Sequence, residues 1–134
     1  DILIDEGHNP QAARALAEAL RAMQGRGRTR AVYAALGDKD VTSVVETLRD
    51  VIDDWYLAGS ESAGPRGLKA EALAARMPAD LSVGGRYDTV DAAIDGALGD
   101  ARAGDRLLVF GGFHAAEQGL KRFAPDRPRA GGTL

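Results

Sequence analysis

"LIDEGHNPQAARAL", residues 3–16, decides the fold, because it leads the chain from a strand into a helix through one short turn. The apolar run Ile2–Ile4 predicts a strand that ends before Asp5. Asn9 is a favoured N-cap residue and Pro10 suits the first helical position, so a helix is expected to begin there. Apolar residues then follow at helical spacing, and they are Ala12, Ala13, Leu16, Leu20 and Met23.

The rest of the chain repeats this alternation of strand and helix. The later strands are short apolar runs, predicted at residues 31–36, 55–58, 81–83 and 106–110. The later helices are predicted from their apolar faces, which are Val41, Val44, Val45, Leu48 and Ile52 after the cap Asp40; Leu68, Leu73 and Met77; Val90, Ile94, Ala97 and Leu98 after a cap at Asp88 or Thr89; and a last helix at 113–123. This alternation predicts an α/β fold: a three-layer, open, mostly parallel twisted sheet with helices on both faces.

Length and composition indicate one ordinary domain. The chain has 134 residues, of which 45% are hydrophobic, enough for one sizeable core. Its net charge of −3 argues against a nucleic-acid-binding face, and no apolar run approaches the ~18 residues that a membrane span needs. The absence of cysteine excludes disulfides and cysteine-based metal sites. We expect a cytoplasmic monomer.

The chain opens directly in an apolar strand. We therefore interpret residues 1–134 as a single domain cut from a longer protein, or as a proteolytic remnant of one. Its tail, residues 125–134, is polar and rich in proline and glycine, and is expected to be frayed.

Polar residues concentrate where the predicted strands end, which is the edge at which open parallel sheets bind ligands. The first cluster follows the first strand. There Asp5 can accept hydrogen bonds from ribose hydroxyls, His8 can stack on a base, and the start of the first helix favours a phosphate. The alternative is that Asn9 is a plain helix cap and His8 a surface residue. For the cluster as a whole we favour a function.

Two further clusters follow the second and fifth strands. Lys39 lies in LGDKD, residues 36–40, where a compact ammonium group can hold a carboxylate or a phosphate, although the spacing equally allows a solvated turn. Gly111, Gly112 and His114 follow the fifth strand, where paired glycines permit close approach of a ligand or form a simple turn. The sequence contains no P-loop, no GxGxxG after a strand, no paired-histidine metal motif and no GxSxG. It therefore indicates no nucleophile, general base or metal-ligand set.

Three segments of the chain together carry a family resemblance. IDEGHNP, residues 4–10, is similar to a DGAHNP segment; ALGDKDV, residues 35–41, to an LxDKD turn; and LLVFGGFHAA, residues 107–116, to a vlVtGSfhtv stretch. These are segments of the folylpolyglutamate synthases and dihydrofolate synthases, within the Mur ligase superfamily. The resemblance covers nearly the whole chain, and HNP combined with DKD favours the folate branch over the cell-wall branch.

The resemblance implies the Rossmann-like C-terminal domain of an ATP-dependent amide ligase. Such enzymes activate a carboxylate of a folate or of dihydropteroate as an acyl phosphate, which the amine of glutamate then attacks. ATP and Mg²⁺ would be held mainly by a central P-loop domain, so that the chain alone would be inactive. By residue-for-residue comparison, the nucleotide-binding residues would be Asp5, His8 and Asn9. The substrate-binding residues would be Lys39, Gly112 and His114, and no catalytic or metal-ligating residue is assigned.

The chain departs from the family pattern at two places. Glu6-Gly7 replaces a Gly-Ala pair, which adds an acid beside the nucleotide, and Gly112 replaces a common serine, which removes a hydroxyl for the carboxylate of the amino acid. Backbone N–H groups at 112 and 113 can compensate. Two alternatives remain: a Mur-type or cyanophycin-type ligase domain, and a stand-alone α/β binding or receiver-like module. A receiver would need a phospho-acceptor aspartate where Gly59 and Ser60 stand.

Overall fold

The computed structural model describes residues 2–5, 9–23, 27–35, 40–60, 68–111 and 113–123, apart from the side chains of Phe113 and His114. Within them the chain alternates strictly between strand and helix, as predicted. The elements are β1 (Ile2–Ile4), α1 (Pro10–Ala22), β2 (Thr29–Tyr33), α2 (Val41–Leu48), β3 (Asp54–Ala58), α3 (Ala70–Ala74), β4 (Val83–Tyr87), α4 (Val90–Asp100), β5 (Arg106–Phe110) and α5 (Phe113–Phe123). The tail predicted at 125–134 lies outside the described residues.

The strands form one sheet in the order β1-β5-β2-β3-β4, and every described pair is parallel. The first three crossovers all advance in one direction along the sheet, and the fourth returns to place β5 between β1 and β2. Because parallel crossovers are right-handed, this reversal moves the later helices to the other face. Buried residues of α1, α2 and α3 accordingly pack on one face, and those of α4 and α5 on the other. The predicted fold class is confirmed.

The central strands are buried on both sides, which explains why they read as continuous apolar runs. On the α1–α3 face, Tyr33 stacks on Phe110 with ring centroids 4.6 Å apart and meets Trp55 edge-on at 5.8 Å. Burial raises the pKa of Tyr33 above its ordinary value of 10.0, so this side chain is a neutral core phenol. The Nε1 atom of Trp55 is buried without a hydrogen-bond partner in the part of the chain that the structure describes.

Three helix starts follow the capping residues that the sequence predicts. The Asn9 side chain accepts a hydrogen bond from the Ala12 N–H at 2.8 Å, and Asp40 accepts one from the Ser43 N–H at 3.2 Å. Of the two candidates before α4, the cap is Thr89, whose hydroxyl accepts from the Ala92 N–H at 3.1 Å. Each bond satisfies an N–H group that the first helical turn leaves without a partner.

Two predicted strands were displaced. β2 occupies Thr29–Tyr33 instead of 31–36, because its first two residues are polar and an apolar-run criterion misses them. β4 occupies Val83–Tyr87 instead of 81–83. It is an edge strand with exposed positions and the sequence VGGRY, so it lacks the apolar run that marks a buried strand.

The predicted helix faces were wrong at a few positions. Leu98 is 39% exposed, and Ala93 takes the inward place on α4 together with Val90, Ile94 and Ala97. On α1, Ala17 is buried while Ala12 and Met23 are only partly buried. A helix that packs on a flat sheet buries one narrow stripe, and a residue 100° from its centre faces water. Leu68 and Met77 flank the short α3 and still pack against its core.

Side chains hold together the amino-terminal edge of the sheet. Arg30, nearly buried in β2, donates to Asp54 at 3.1 Å, to Asp105 at 2.9 Å and to the Tyr56 hydroxyl at 3.0 Å. That hydroxyl in turn donates to Asp100 at 2.9 Å. The network therefore joins β2, β3 and the start of β5 to the end of α4, and no motif in the sequence indicates it.

The charges of this network are mutually stabilised. Arg28 donates to Asp54 at 2.7 Å, and with the Ser82 hydroxyl and Arg30 it holds the pKa of Asp54 below its ordinary value of 3.8. The pKa of Asp105 falls to about 2, because backbone N–H groups of Arg102 and Arg28 and the Arg30 guanidinium all donate to its carboxylate.

The described residues include no helix long and apolar enough to cross a lipid bilayer.

Candidate functional site

The topology places a crevice at the carboxyl ends of β1 and β5. These strands are adjacent and parallel, yet α1 leaves β1 toward one face and α5 leaves β5 toward the other. At such a switch point the two connections diverge and open a cleft, which is the usual ligand site of open α/β sheets. The β1–α1 turn and the β5–α5 turn carry five of the six predicted site residues.

On the β1 side of the crevice, Asp5 continues the strand. Its backbone N–H donates to the Val109 carbonyl at 2.9 Å, and its side chain is partly buried at the strand end. Asn9 caps α1 through its side-chain oxygen, as the sequence predicts. The cap bond uses this oxygen and not the amide NH₂ group of Asn9. His8 lies outside the described residues.

On the β5 side, Gly111 fixes the path of the turn. Its φ of +128° lies in a region that side chains disfavour, and a Cβ there would lie 1.8 Å from the Ala34 carbonyl oxygen. The Ala34 N–H donates to the Phe110 carbonyl at 3.3 Å. The β5–α5 turn therefore starts in direct backbone contact with the end of β2. Gly112 lies outside the described residues, and His114 lies in the first turn of α5 with its side chain undescribed.

The third predicted cluster follows β2. Asp40 caps α2, as expected for an acid at this position, while Lys39 lies outside the described residues. The next polar residue along the edge is Ser60, which is buried with 2% exposure. Its hydroxyl forms hydrogen bonds with the Ala35 carbonyl and the Leu68 N–H. The sequence places Ser60 after the third strand but does not indicate its burial, because a serine between glycine and glutamate is typical of a solvated turn.

Helix termini give the crevice a preference for anions. Neither α1 nor α5 has an acidic residue in its first turn, so the partial positive charges of these helix starts are not offset there. By contrast α4, which follows the distant edge strand β4, has Asp91 in its first turn, paired with Arg122 at 2.8 Å. The anion-favouring helix starts thus flank the same crevice as Asp5.

A metal site is not built from the described residues alone. Among them, no group of three or more histidine, cysteine, aspartate or glutamate side chains is arranged to hold a metal ion.

Comparison with known proteins finds relatives that match nearly the whole chain. The chain is 39% identical over 131 residues to the dihydrofolate synthase/folylpolyglutamate synthase of Escherichia coli, covering 98% of this chain and 29% of that enzyme. It is 34% identical over 123 residues to the enzyme of the same name from Haemophilus influenzae, covering 87% of this chain and 27% of that enzyme. The chain therefore spans less than a third of the length of these relatives, and it matches their C-terminal portion.

Solved structures share the fold. E. coli FolC in complex with DHPP and ADP superposes with a TM-score of 0.82 at 36% identity, over 95% of this chain and 29% of that one. A bifunctional folylpolyglutamate synthase/dihydrofolate synthase with Mn, AMPPNP and L-glutamate bound gives a TM-score of 0.79 at 34% identity, over 90% of this chain and 28% of that one. The family model described as "Mur ligase, glutamate ligase domain" matches residues 1–113. The chain belongs to this Mur ligase family of glutamate ligase domains.

Proposed function

We propose that this chain is the C-terminal domain of an ATP-dependent ligase that adds glutamate to folates or to dihydropteroate. The observation that carries the proposal is the 39% identity over 98% of the chain to a dihydrofolate synthase/folylpolyglutamate synthase. The switch-point crevice supports it, because its helix starts favour the phosphates of a nucleotide.

The proposed reaction has two steps. An oxygen of the substrate carboxylate attacks the γ-phosphorus of ATP, which gives an acyl phosphate and ADP. The amine of glutamate then attacks the acyl carbon, loses a proton, and displaces inorganic phosphate as the amide forms. Mg²⁺, when bound, neutralises phosphate charge. We place its ligands mainly in a central P-loop domain of the full enzyme.

In this scheme the chain binds and orients the reactants. Asp5, His8 and Asn9 contact the nucleotide from the β1–α1 turn. Support comes from the position of Asp5 at the mouth of the crevice and from the amide group that the cap bond leaves on Asn9. The domain closes over ATP and keeps water away from the acyl phosphate, which would otherwise hydrolyse.

The incoming glutamate is assigned to the other side of the crevice. Lys39 pairs with one of its carboxylates, and the turn at Gly112 and His114 offers backbone N–H groups to the other. The backbone contact between Gly111 and Ala34 supports this assignment, because it joins the β5–α5 turn to the strand end from which residues 36–39 continue. A relative solved with Mn, AMPPNP and L-glutamate bound supports glutamate as a ligand of this family.

The test is a ligation assay with ATP, Mg²⁺, glutamate and either dihydropteroate or a folate, on the full-length enzyme that contains this chain. Lys39→Ala and His8→Ala are each expected to lower kcat/KM by at least about tenfold, since each removes a contact to a charged reactant. Lys121→Ala is the matched control, because this lysine is 65% exposed on α5 and pairs only loosely with Glu117 at 3.7 Å. It is expected to stay within about twofold of the parent.

Three results would contradict the proposal. Parental kinetics in both Lys39→Ala and His8→Ala would remove these residues from the crevice. Ligation by the isolated chain would refute its role as one part of a larger active site. A full-length enzyme that accepts nucleotide-linked muramyl substrates and not folates would move the assignment to the cell-wall branch of the family.

A further inference from the structure

A buried serine hydroxyl joins two segments of the chain at the carboxyl edge of the sheet. Ser60, just after β3, is 2% exposed, and its Oγ lies 2.7 Å from the Ala35 carbonyl oxygen and 2.8 Å from the Leu68 N–H. Its own backbone N–H donates to the Leu68 carbonyl at 2.8 Å. The side chain of Ser60 thus joins the exit of β2 to Leu68, which lies just before α3.

Hydrogen-bond chemistry gives each of these contacts a direction. A serine hydroxyl has one proton and two acceptor lone pairs. The Leu68 carbonyl, 3.3 Å from Oγ, already accepts from the Ser60 N–H, so the hydroxyl proton goes to the closer Ala35 carbonyl. The Leu68 N–H then donates to a lone pair of the same oxygen. The bond to Ala35 is buried and the bond to Leu68 is partly buried, so loss of the hydroxyl leaves the Ala35 carbonyl and the Leu68 N–H without these partners.

The hydrogen bonds of Ser60 lie next to the segment that carries the proposed substrate-binding residue Lys39. Ala35 directly precedes residues 36–39, which carry Lys39, and its neighbour Ala34 is the residue against which Gly111 packs. Ser60 and Gly111 therefore hold the same strand end from two sides, one by a side-chain hydroxyl and one by backbone contact.

We propose that Ser60 is a positioning residue that fixes the exit of β2, from which the chain continues into the segment that carries Lys39. The placement of the strand end rests on geometry alone, whereas the effect on catalysis rests on the proposed function.

The first arm of the test is amide hydrogen exchange on this chain, resolved by residue. Ser60→Ala is expected to speed exchange about tenfold at residues 34, 60 and 68, which is the ratio typical of one lost buried hydrogen bond. Amides of the opposite edge, such as those of Asp53 and Arg106, are expected to keep their parental rates. Ser60→Cys, which retains a weaker donor of similar shape, is expected to give intermediate rates.

Ile94→Val is the control for a general loss of stability. Ile94 is fully buried on α4, on the other face of the sheet, and removing one methyl group lowers stability without contact to the carboxyl edge. Ile94→Val is expected to leave the ratios between the amide exchange rates of residues 34, 60 and 68 unchanged. Equal acceleration in Ser60→Ala and Ile94→Val, or parental exchange in Ser60→Ala, would overturn the positioning role.

The second arm is a double-mutant cycle in the full-length ligase. Ser60→Ala is expected to lower kcat/KM for glutamate about tenfold when Lys39 is present, and by less than twofold in the Lys39→Ala background, because the effect acts through that lysine. Equal losses in both backgrounds would refute the coupling. An enzyme without ligase activity would refute the proposed function, while the exchange result would still decide the role of Ser60 in the strand end.

Discussion

The two edges of the sheet are built by different means. At the amino-terminal edge, Arg30 is bonded to three side chains, and two aspartates have lowered pKa values. At the carboxyl edge, the described contacts run mainly through the backbone: Asp5 to Val109, Ala34 to Phe110, Gly59 to Tyr87, and Gly111 against Ala34. Ser60 is the side chain that adds to them.

The difference separates stability from function. Hydrogen bonds between side chains hold the amino-terminal edge together. At the carboxyl edge most of the described contacts that hold the strand ends are backbone contacts, so the scaffold there depends little on which side chains follow the strands. Active sites on open sheets need this second arrangement, because the loops that bind ligands vary while the scaffold stays fixed.

The largest effect is expected at Gly111, where the role of backbone contact at the carboxyl edge can be tested. Gly111→Ala places a methyl group 1.8 Å from a backbone oxygen at a φ of +128°, so the turn must move. We expect a loss of about 4 kcal/mol or more in the free energy of unfolding, measured by urea denaturation. Gly99→Ala is the control, because nothing lies within 4 Å of its added Cβ on α4. It is expected to be neutral or to stabilise by about 0.5–1 kcal/mol. A mild Gly111→Ala would show that backbone contact does not define this edge.

The next effect is expected at Arg30. Arg30→Met keeps the length of the side chain but removes the nearly buried donor that Asp54, Asp105 and the Tyr56 hydroxyl share, which should cost about 3 kcal/mol. Arg49→Met is the matched control, since the ion pairs of Arg49 with Glu46 and Asp80 lie at the surface, and it should change stability far less. In the full-length ligase, Arg30→Met should leave KM for glutamate unchanged. A KM effect without loss of stability would contradict the division between the two edges.

The smallest effect concerns pH. The pKa of Asp105 is lowered from 3.8 to about 2, so its ionised form stabilises the folded state. This contribution is complete above the ordinary pKa and is lost as the pH falls through the folded value. The free energy of unfolding should therefore decline between about pH 4 and pH 2, and Asp105→Asn should flatten that decline. An equal slope in both proteins would show that the network does not hold this charge.

Local sequence signals predicted the helix starts well, because helix-capping residues have a strong positional preference. Asn9, Asp40 and Thr89 cap their helices as predicted, because short polar side chains satisfy the first N–H groups of a helix wherever it lies. The same reasoning failed at Leu98 and at β4, where burial depends on which side of the sheet a neighbour covers. For the candidate site, the sequence indicated the edge and the turns, and Asp5 lies at the end of β1. The binding roles of all six site residues stay predictions: Asp5, His8, Asn9, Lys39, Gly112 and His114.

The sequence by itself determined the alternation of strand and helix, the helix starts and the family pattern of HNP and DKD, because these depend on neighbours within a few residues. Only the tertiary structure decided that β5 enters between β1 and β2, which opens the crevice at their ends. It also decided that Arg30 is paired, and that Ser60 and Gly111 meet the end of β2. Those partners lie far apart in the chain, and no local propensity specifies which distant groups a fold brings within hydrogen-bond distance.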